Sequence, residues 1–235
     1  MKFKLQHVAI SIIVTNIIMF ILQQVIPGMT DALLLDSSRV WSEPWLLLTS
    51  MFLHADIWHL VFNMYALLIF GTLIEQRIGS NRFFGAYLIS GLIAAAGATF
   101  FYPKALGASG AIMSLLGLTI ILLPDLQVLF FFVIPMSMRT AGIIFAIVDI
   151  IGIMVPMGVA NIAHLIGLAC GLAYGYFLLR RKKAINKRVL GVDYYEPRDP
   201  LAKKNKKSTN SNKIKKNTIE LSDDEIEEYI SKGRL

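Results

Sequence analysis

A chain of 235 residues that is 55% hydrophobic and only 17% charged, with a mean hydropathy of +0.60, is not an ordinary soluble domain, which carries nearer a quarter of its residues as charges. The formal net charge of +7 arises mainly beyond Leu179, on a polar tail, so it argues for no nucleic-acid partner. The single cysteine, Cys170, excludes an internal disulfide.

The composition predicts an all-α polytopic membrane protein, with six spans at about 8–26, 57–74, 83–101, 107–123, 140–155 and 159–179. Span one follows a short basic leader carrying Lys2 and Lys4. It is too long for a signal-peptide core and has no clear small-x-small cleavage site, so it reads as retained. Pro27 and Gly28 stop it. The half-apolar loop that follows, to about Ser50, carries Trp41 and Trp45, residues favoured at a membrane interface, and is expected to lie on or in one leaflet. Between Phe83 and Leu179 only Lys104, Asp125, Arg139 and Asp149 interrupt the apolar sequence. Span four is short and ends at Pro124-Asp125, and 126–138 reads as an apolar, Pro-broken connection.

Six spans put both ends on one side. Lys2, Lys4, Arg77, Arg82, Arg139 and the cluster Arg180-Arg181-Lys182-Lys183 all fall there, whereas the opposite loops carry Arg39 and Lys104 as their basic residues. The positive-inside rule makes that side cytoplasmic. The expected arrangement is a multi-pass protein of the cell membrane with a six-span core over 1–183 and a cytoplasmic tail over 184–235. Within the tail, Lys203–Lys216 has the composition of a disordered linker. Ser222 and Glu225 have capping-box spacing, with Leu221 and Ile226 placed as a staple, which predicts a short acidic helix to about Ser231. The tail reads as a solvated segment with its lysines near anionic lipid; a docking partner is the alternative.

Spans two, four and six run in the same direction, and each carries polar residues near its start. His59 and Asn63 lie on span two, Ser109 on span four and His164 on span six, all within about two turns of the helix end at 1.5 Å per residue. His59 and Asn63, four apart, share a helical face. Leu106-Gly107-Ala108-Ser109-Gly110 surrounds a serine with small residues, so backbone N–H groups and a substrate carbonyl can approach it closely. A helix starting there offers unpartnered N–H groups and a positive dipole end to a developing oxyanion. Ala160, His164, Gly167, Gly171 and Gly175 form one small-residue stripe on span six, and Gly110, Ser114 and Gly117 another on span four. Such stripes let membrane helices approach closely, which predicts a Ser109–His164 hydrogen bond. Each feature also has a plainer explanation: Gly-x-Ser-Gly as tight packing, Asn63 as a helix–helix hydrogen bond, His54 as an ordering residue for the loop before span two. Asp149, the one acid deep in a span, is expected to face protein and is not made catalytic, because a water-filled pocket or a hydrogen bond to a hydroxyl explains it as well. Two histidines with an amide and a hydroxyl make a poor metal site, and no cofactor is implied.

Taken together, His54-x4-His59-x3-Asn63, Gly107-Ala108-Ser109-Gly110 and Ala163-His164-x2-Gly167-x3-Gly171, in that order on spans two, four and six, resemble the rhomboid family of intramembrane serine proteases over about Pro44 to Leu179. Glu75-Gln76-Arg77-Ile78-Gly79 matches the family's acidic–basic turn. The resemblance implies a rhomboid-like bundle in which Ser109 is the nucleophile, His164 the general base, and His59, Asn63 and the Ser109 backbone N–H the oxyanion hole, opening toward the outside. It implies membrane-protein substrates, single-span or polytopic, cut near the outer end of a transmembrane helix. Two positions depart from the common pattern: Trp45-Leu46 where many members have Trp-Arg, and Met113 where some place a tyrosine against the catalytic histidine. The alternatives are an inactive relative that binds membrane proteins, against which the intact Ser109 and His164 count, and a small transporter, which would favour internal repeats that the chain does not display.

Overall fold

The computed structural model describes residues 7–130, 134–154 and 159–190. The expected tail linker and acidic helix, and the basic leader, lie outside these residues. By compactness the chain divides into Met1–Tyr176 and Phe177–Leu235. In the second unit the described part is the end of the last helix, where the Arg181 guanidinium lies 5.9 Å from the centre of the Phe177 ring.

The fold is helical, as expected. Its longer helices are α1 (Val8–Val25), α2 (Ile57–Ile78), α3 (Ser80–Ala98), α4 (Ser109–Leu122), α5 (Met138–Met154) and α6 (Asn161–Leu190). Of these, α1, α2 and the part of α6 over Asn161–Ile185 are long and apolar enough to cross a membrane. Helix α2 contains a π turn over Leu67–Gly71. There Gly71 lets α1 approach: a Cβ at Gly71 would sit 3.2 Å from that of Ala9. α2 ends at Gly79, whose φ of 85° reverses the chain into α3 at little steric cost. Helix α6 runs past the expected end of span six through Arg180–Lys183, since arginine and lysine are good helix formers and nothing there breaks the ladder.

Two helix starts are fixed by acids. The Asp56 carboxylate caps α2, accepting from the Trp58 N–H at 2.8 Å and the His59 N–H at 2.9 Å. The amino end of α1 is held from elsewhere in the chain. The two carboxylate oxygens of Glu75, near the end of α2, accept from the Val8 N–H at 2.8 Å and the Ala9 N–H at 2.9 Å, and Ser80 Oγ donates to the first oxygen at 2.6 Å.

The loop after α1 holds short helices at Met29–Leu33 and Leu46–Thr49 and a strand, β1 (Leu35–Asp36). β1 pairs antiparallel with β2 (Lys104–Ala105), just before the Ser109 segment. Leu46, the departure from Trp-Arg, is fully buried. It packs with Leu35 and Val40 against Ala94 and Ala98 of α3 and Ala163 of α6. An apolar anchor therefore holds this loop. Trp41 and Trp45 are exposed, as suits a segment at a membrane interface.

Helix α4 is buried on nearly every side, from Ala111 through Thr119. Its 14 residues make it about 21 Å long, less than the ~30 Å hydrocarbon core. The expected Pro-broken connection after it is instead a hairpin: β3 (Gln127–Phe130) pairs antiparallel with β4 (Ile134–Ser137). Its register places Pro135 opposite Leu129. The period-2 pattern of a strand is hidden here, because both strands are apolar apart from Gln127 and Ser137 at their ends.

Candidate active site

The glycine seam sets the geometry. Gly167 and Gly171 of α6 lie so close to α4 that a Cβ on either would come within 2.0 Å of a backbone oxygen, that of Gly110 and that of Ser114 respectively. From the other side, a Cβ on Gly117 would lie 2.6 Å from the Leu168 carbonyl oxygen, and one on Gly110 2.8 Å from the Ala94 Cβ. Glycine at these positions leaves backbone packed directly on backbone. Nearby, Ser90 Oγ of α3 donates to Ser114 Oγ at 2.7 Å. α4 is thus fixed from two sides.

That seam carries Ser109, the first residue of α4, to His164 in the first turn of α6. Ser109 Oγ and His164 Nε2 are 2.7 Å apart. The other ring nitrogen, Nδ1, lies 2.9 Å from Asp149 Oδ1. A carboxylate can only accept, so Nδ1 carries the proton. The Nε2 lone pair is then left to accept from the Ser109 hydroxyl. Asp149 is 5% exposed. This corrects the reading of Asp149 as a hydroxyl or water contact: its rotation about α5 turns it toward the histidine.

The Gly107 segment shapes the neighbouring space. Gly107 has φ 121°, a conformation that L side chains rarely adopt, and its N–H donates to the Ser50 carbonyl at 2.9 Å. A Cβ there would meet both Cε1 and Nε2 of His59 at 2.9 Å and would stand 3.8 Å from Ser109 Oγ. The imidazole of His59 therefore occupies room that only glycine leaves free, beside the serine hydroxyl. The Ala55 N–H donates to His59 Nδ1 at 3.3 Å, which places the His59 proton on Nε2, the edge against Gly107. Asn63 is buried, and one of its amide hydrogens is given to the His59 carbonyl at 2.8 Å. At the head of α6, the Ile162 N–H, one of the unpartnered donors of a helix start, donates to the Tyr102 hydroxyl at 3.0 Å.

Of the residues expected from sequence, Ser109, His164, His59 and Gly107 meet at one end of the bundle, with Gly110, Gly167 and Gly171 in the seam behind them. Asn63 lies one turn along α2 from His59. Met113 is buried with Leu116, Met138 and Leu168. Asp149, Tyr102, Asp56 and the Ala55 N–H were not expected there. Asp56 was readable as an N-cap before an apolar run, and Asp149 as an intramembrane acid, functional by default. Nothing in the sequence pointed to Tyr102.

His54 stands just before α2, 1% exposed, its ring edge-on to that of His59 at 5.1 Å. Gln23 of α1 grips the backbone there, accepting from the His54 N–H at 3.0 Å and donating to its carbonyl at 3.2 Å. Among the described residues, neither ring nitrogen of His54 has a hydrogen-bond partner. Burial, and then the neighbouring His59 ring, push its pKa down to about 4. In the unfolded chain this imidazole protonates below about 6.5, so between those values the unfolded state binds more protons. Stability is full above about 6.5 and falls as the pH drops toward 4, by roughly 3 kcal/mol at the lower limit. Thermal unfolding in detergent at neutral pH and near pH 4 should show this loss, and His54→Asn should flatten it. An equal acid loss in the variant would assign the effect to other groups.

A family comparison bears on what this arrangement is. The Rhomboid domain family matches residues 41–181. The chain belongs to the rhomboid family. This rhomboid is similar to RHOMBOID-like protein 6, mitochondrial, of Arabidopsis thaliana, at 35% identity over 61% of the chain and 46% of that protein. It is similar to the Rhomboid protease GluP of Bacillus subtilis at 34% over 77% of the chain and 36% of that protein. It is similar to Rhomboid protein 1, mitochondrial, of Saccharomyces cerevisiae at 34% over 59% and 42%. The chain thus spans less than half the length of these relatives. The matched segment contains Ser109, His164, Asp149, His59 and Asn63. This rhomboid is accordingly an all-α membrane protein of that family.

Proposed function

We propose that this rhomboid is a serine endopeptidase that hydrolyses peptide bonds of membrane-protein substrates through an acyl-enzyme. The observation that carries the reading is the 2.7 Å contact between Ser109 Oγ and His164 Nε2. In the first half-reaction the Ser109 oxygen attacks the scissile carbonyl carbon as its proton passes to His164 Nε2. The carbonyl oxygen becomes an oxyanion beside the Ser109 backbone N–H and the His59 Nε2–H, with the Asn63 amide behind them. The C–N bond then breaks as His164 gives its proton to the leaving amine. Water repeats the sequence on the ester, releasing the acid product and Ser109.

The charge distribution supports an orientation with both termini on the cytoplasmic side and Ser109 opening toward the outside. A substrate helix hides its carbonyls in i to i−4 hydrogen bonds, so the cut falls where the helix unwinds, near its outer end and close to Gly or Pro. The test incubates the purified full chain in detergent with a panel of single-span proteins and with a fluorophosphonate. Cleavage within or beside a span, with the label on Ser109, is expected. A folded protein that neither cuts any panel member nor takes the label would overturn the reading.

His59→Ala should lower turnover by about 10²–10³, the cost where one oxyanion donor is lost and the backbone donor stays. Asn63→Ala should cost less, because its amide is partly committed to its own helix. Unchanged turnover in both folded variants would assign these residues to packing.

A further inference from the structure

We infer that Asp149 is a positioning residue for His164, which makes the position of α5 an input to catalysis; this rests on the hydrolase reading above. Three features carry the inference. The carboxylate lies 2.9 Å from Nδ1 on the side of the ring away from Ser109, which fixes the tautomer that leaves Nε2 free to take a proton. Both side chains are largely out of solvent, at 17% exposure for His164 and 7% for Asp149, so water competes weakly for this bond. And α5 is brought to α6 at a place built for close approach: one turn from Asp149, a Cβ on Gly152 would come within 2.6–2.7 Å of the Asn161 amide, itself one turn before His164.

Base, nucleophile and acid therefore sit on three different helices. The Ser109–His164 contact is made across the α4–α6 seam, by residues that are not on α5. Sliding or tilting α5 would withdraw the group that holds the Nδ1 proton and faces the imidazolium formed during attack. The groups facing His164 are Asp149 from α5, Ser109 from α4 and, across the site, His59 from α2.

The decisive variant is Asp149→Asn, which keeps the shape. An amide can donate to Nδ1 and so drive the proton to Nε2, the wrong tautomer for a base. The expected result is a fall in kcat of up to about 10⁴, the loss where a buried acid behind a catalytic histidine becomes an amide, with KM unchanged. Asp149→Glu should recover part of that loss. Histidine-selective 15N spectra of the full chain, which has four histidines, should show His164 protonated at Nδ1 in the wild type and shifted toward Nε2 in Asp149→Asn, with His164→Gln giving the assignment. Gly152→Val should move the same signal while leaving the carboxylate intact, and adding Asn161→Ala should move it back. An Asp149→Asn protein with wild-type kcat and an unchanged His164 signal overturns the inference. If the wild type neither cleaves nor labels, the hydrolase reading fails instead, and the nitrogen signal still tests the positioning.

Discussion

Ser109→Ala and His164→Ala should each remove essentially all cleavage, a loss on the order of 10⁶ in turnover, because nucleophile and base act as a unit and the loss of either disables both. The reasoning is chemical. Without Oγ no acyl-enzyme can form. Without the imidazole, the Ser109 hydroxyl loses the base that stands 2.7 Å away, and Asp149 lies behind the ring rather than beside the hydroxyl. Both changes remove atoms without adding bulk, and the α4–α6 seam does not depend on either side chain. The measurement is substrate cleavage by each purified variant next to its melting temperature. Loss of cleavage with the melting temperature kept is the expected pattern, and a well-folded variant of either kind that cuts at the wild-type rate would remove Ser109 and His164 from the mechanism.

Gly171→Leu should also be damaging, although residue 171 lies two turns from His164. Even the first carbon of a side chain at 171 would stand 2.0 Å from the Ser114 carbonyl oxygen, where ordinary contact begins near 3.4 Å. The obstacle is backbone, which cannot swing aside as a side chain can, so α4 and α6 must part by about 1.4 Å to restore ordinary contact. A displacement of roughly 1 Å between reacting groups costs about 10² in rate, and overpacking adds about 1–3 kcal/mol of destabilisation or more. Leucine should therefore lower activity by 10² or more and also the melting temperature, with Gly171→Ala intermediate. Full activity in Gly171→Leu would show that the seam does not align Ser109 with His164.

Much of this was legible in the sequence because membrane helices announce themselves by length and apolarity. The expected span 8–26 is Val8–Val25, and 140–155 is Met138–Met154. The fourth was expected from residue 107 but begins at Ser109, because Gly107 takes a positive φ that no helix interior allows. The serine, both site histidines and the glycine seam were readable because their spacing matches the 3.6-residue period. Asp149 was visible as a residue but not as a partner. Helix α5 is exposed at Ile143, Ile147, Ile150 and Ile151 and buried at Gly142, Asp149 and Gly152, but spacing along one helix does not say which neighbour the buried face meets. The 127–137 hairpin was missed because its apolar strands hide the period-2 pattern.

The double grip of Glu75 on Val8 and Ala9 bears on the order in which the protein can be made. Helix α1 leaves the ribosome before α2, but its opening N–H groups are matched by a carboxylate that is synthesised 67 residues after Val8. In hydrocarbon an unmatched backbone N–H costs several kcal/mol. Until α2 has been inserted and its far end has come back beside residue 8, the first helix has a loose end that must stay within reach of water. The two helices then close as a pair, at the opposite end of α2 from His59. The end of α2 away from His59 is thus the place where α1 is latched.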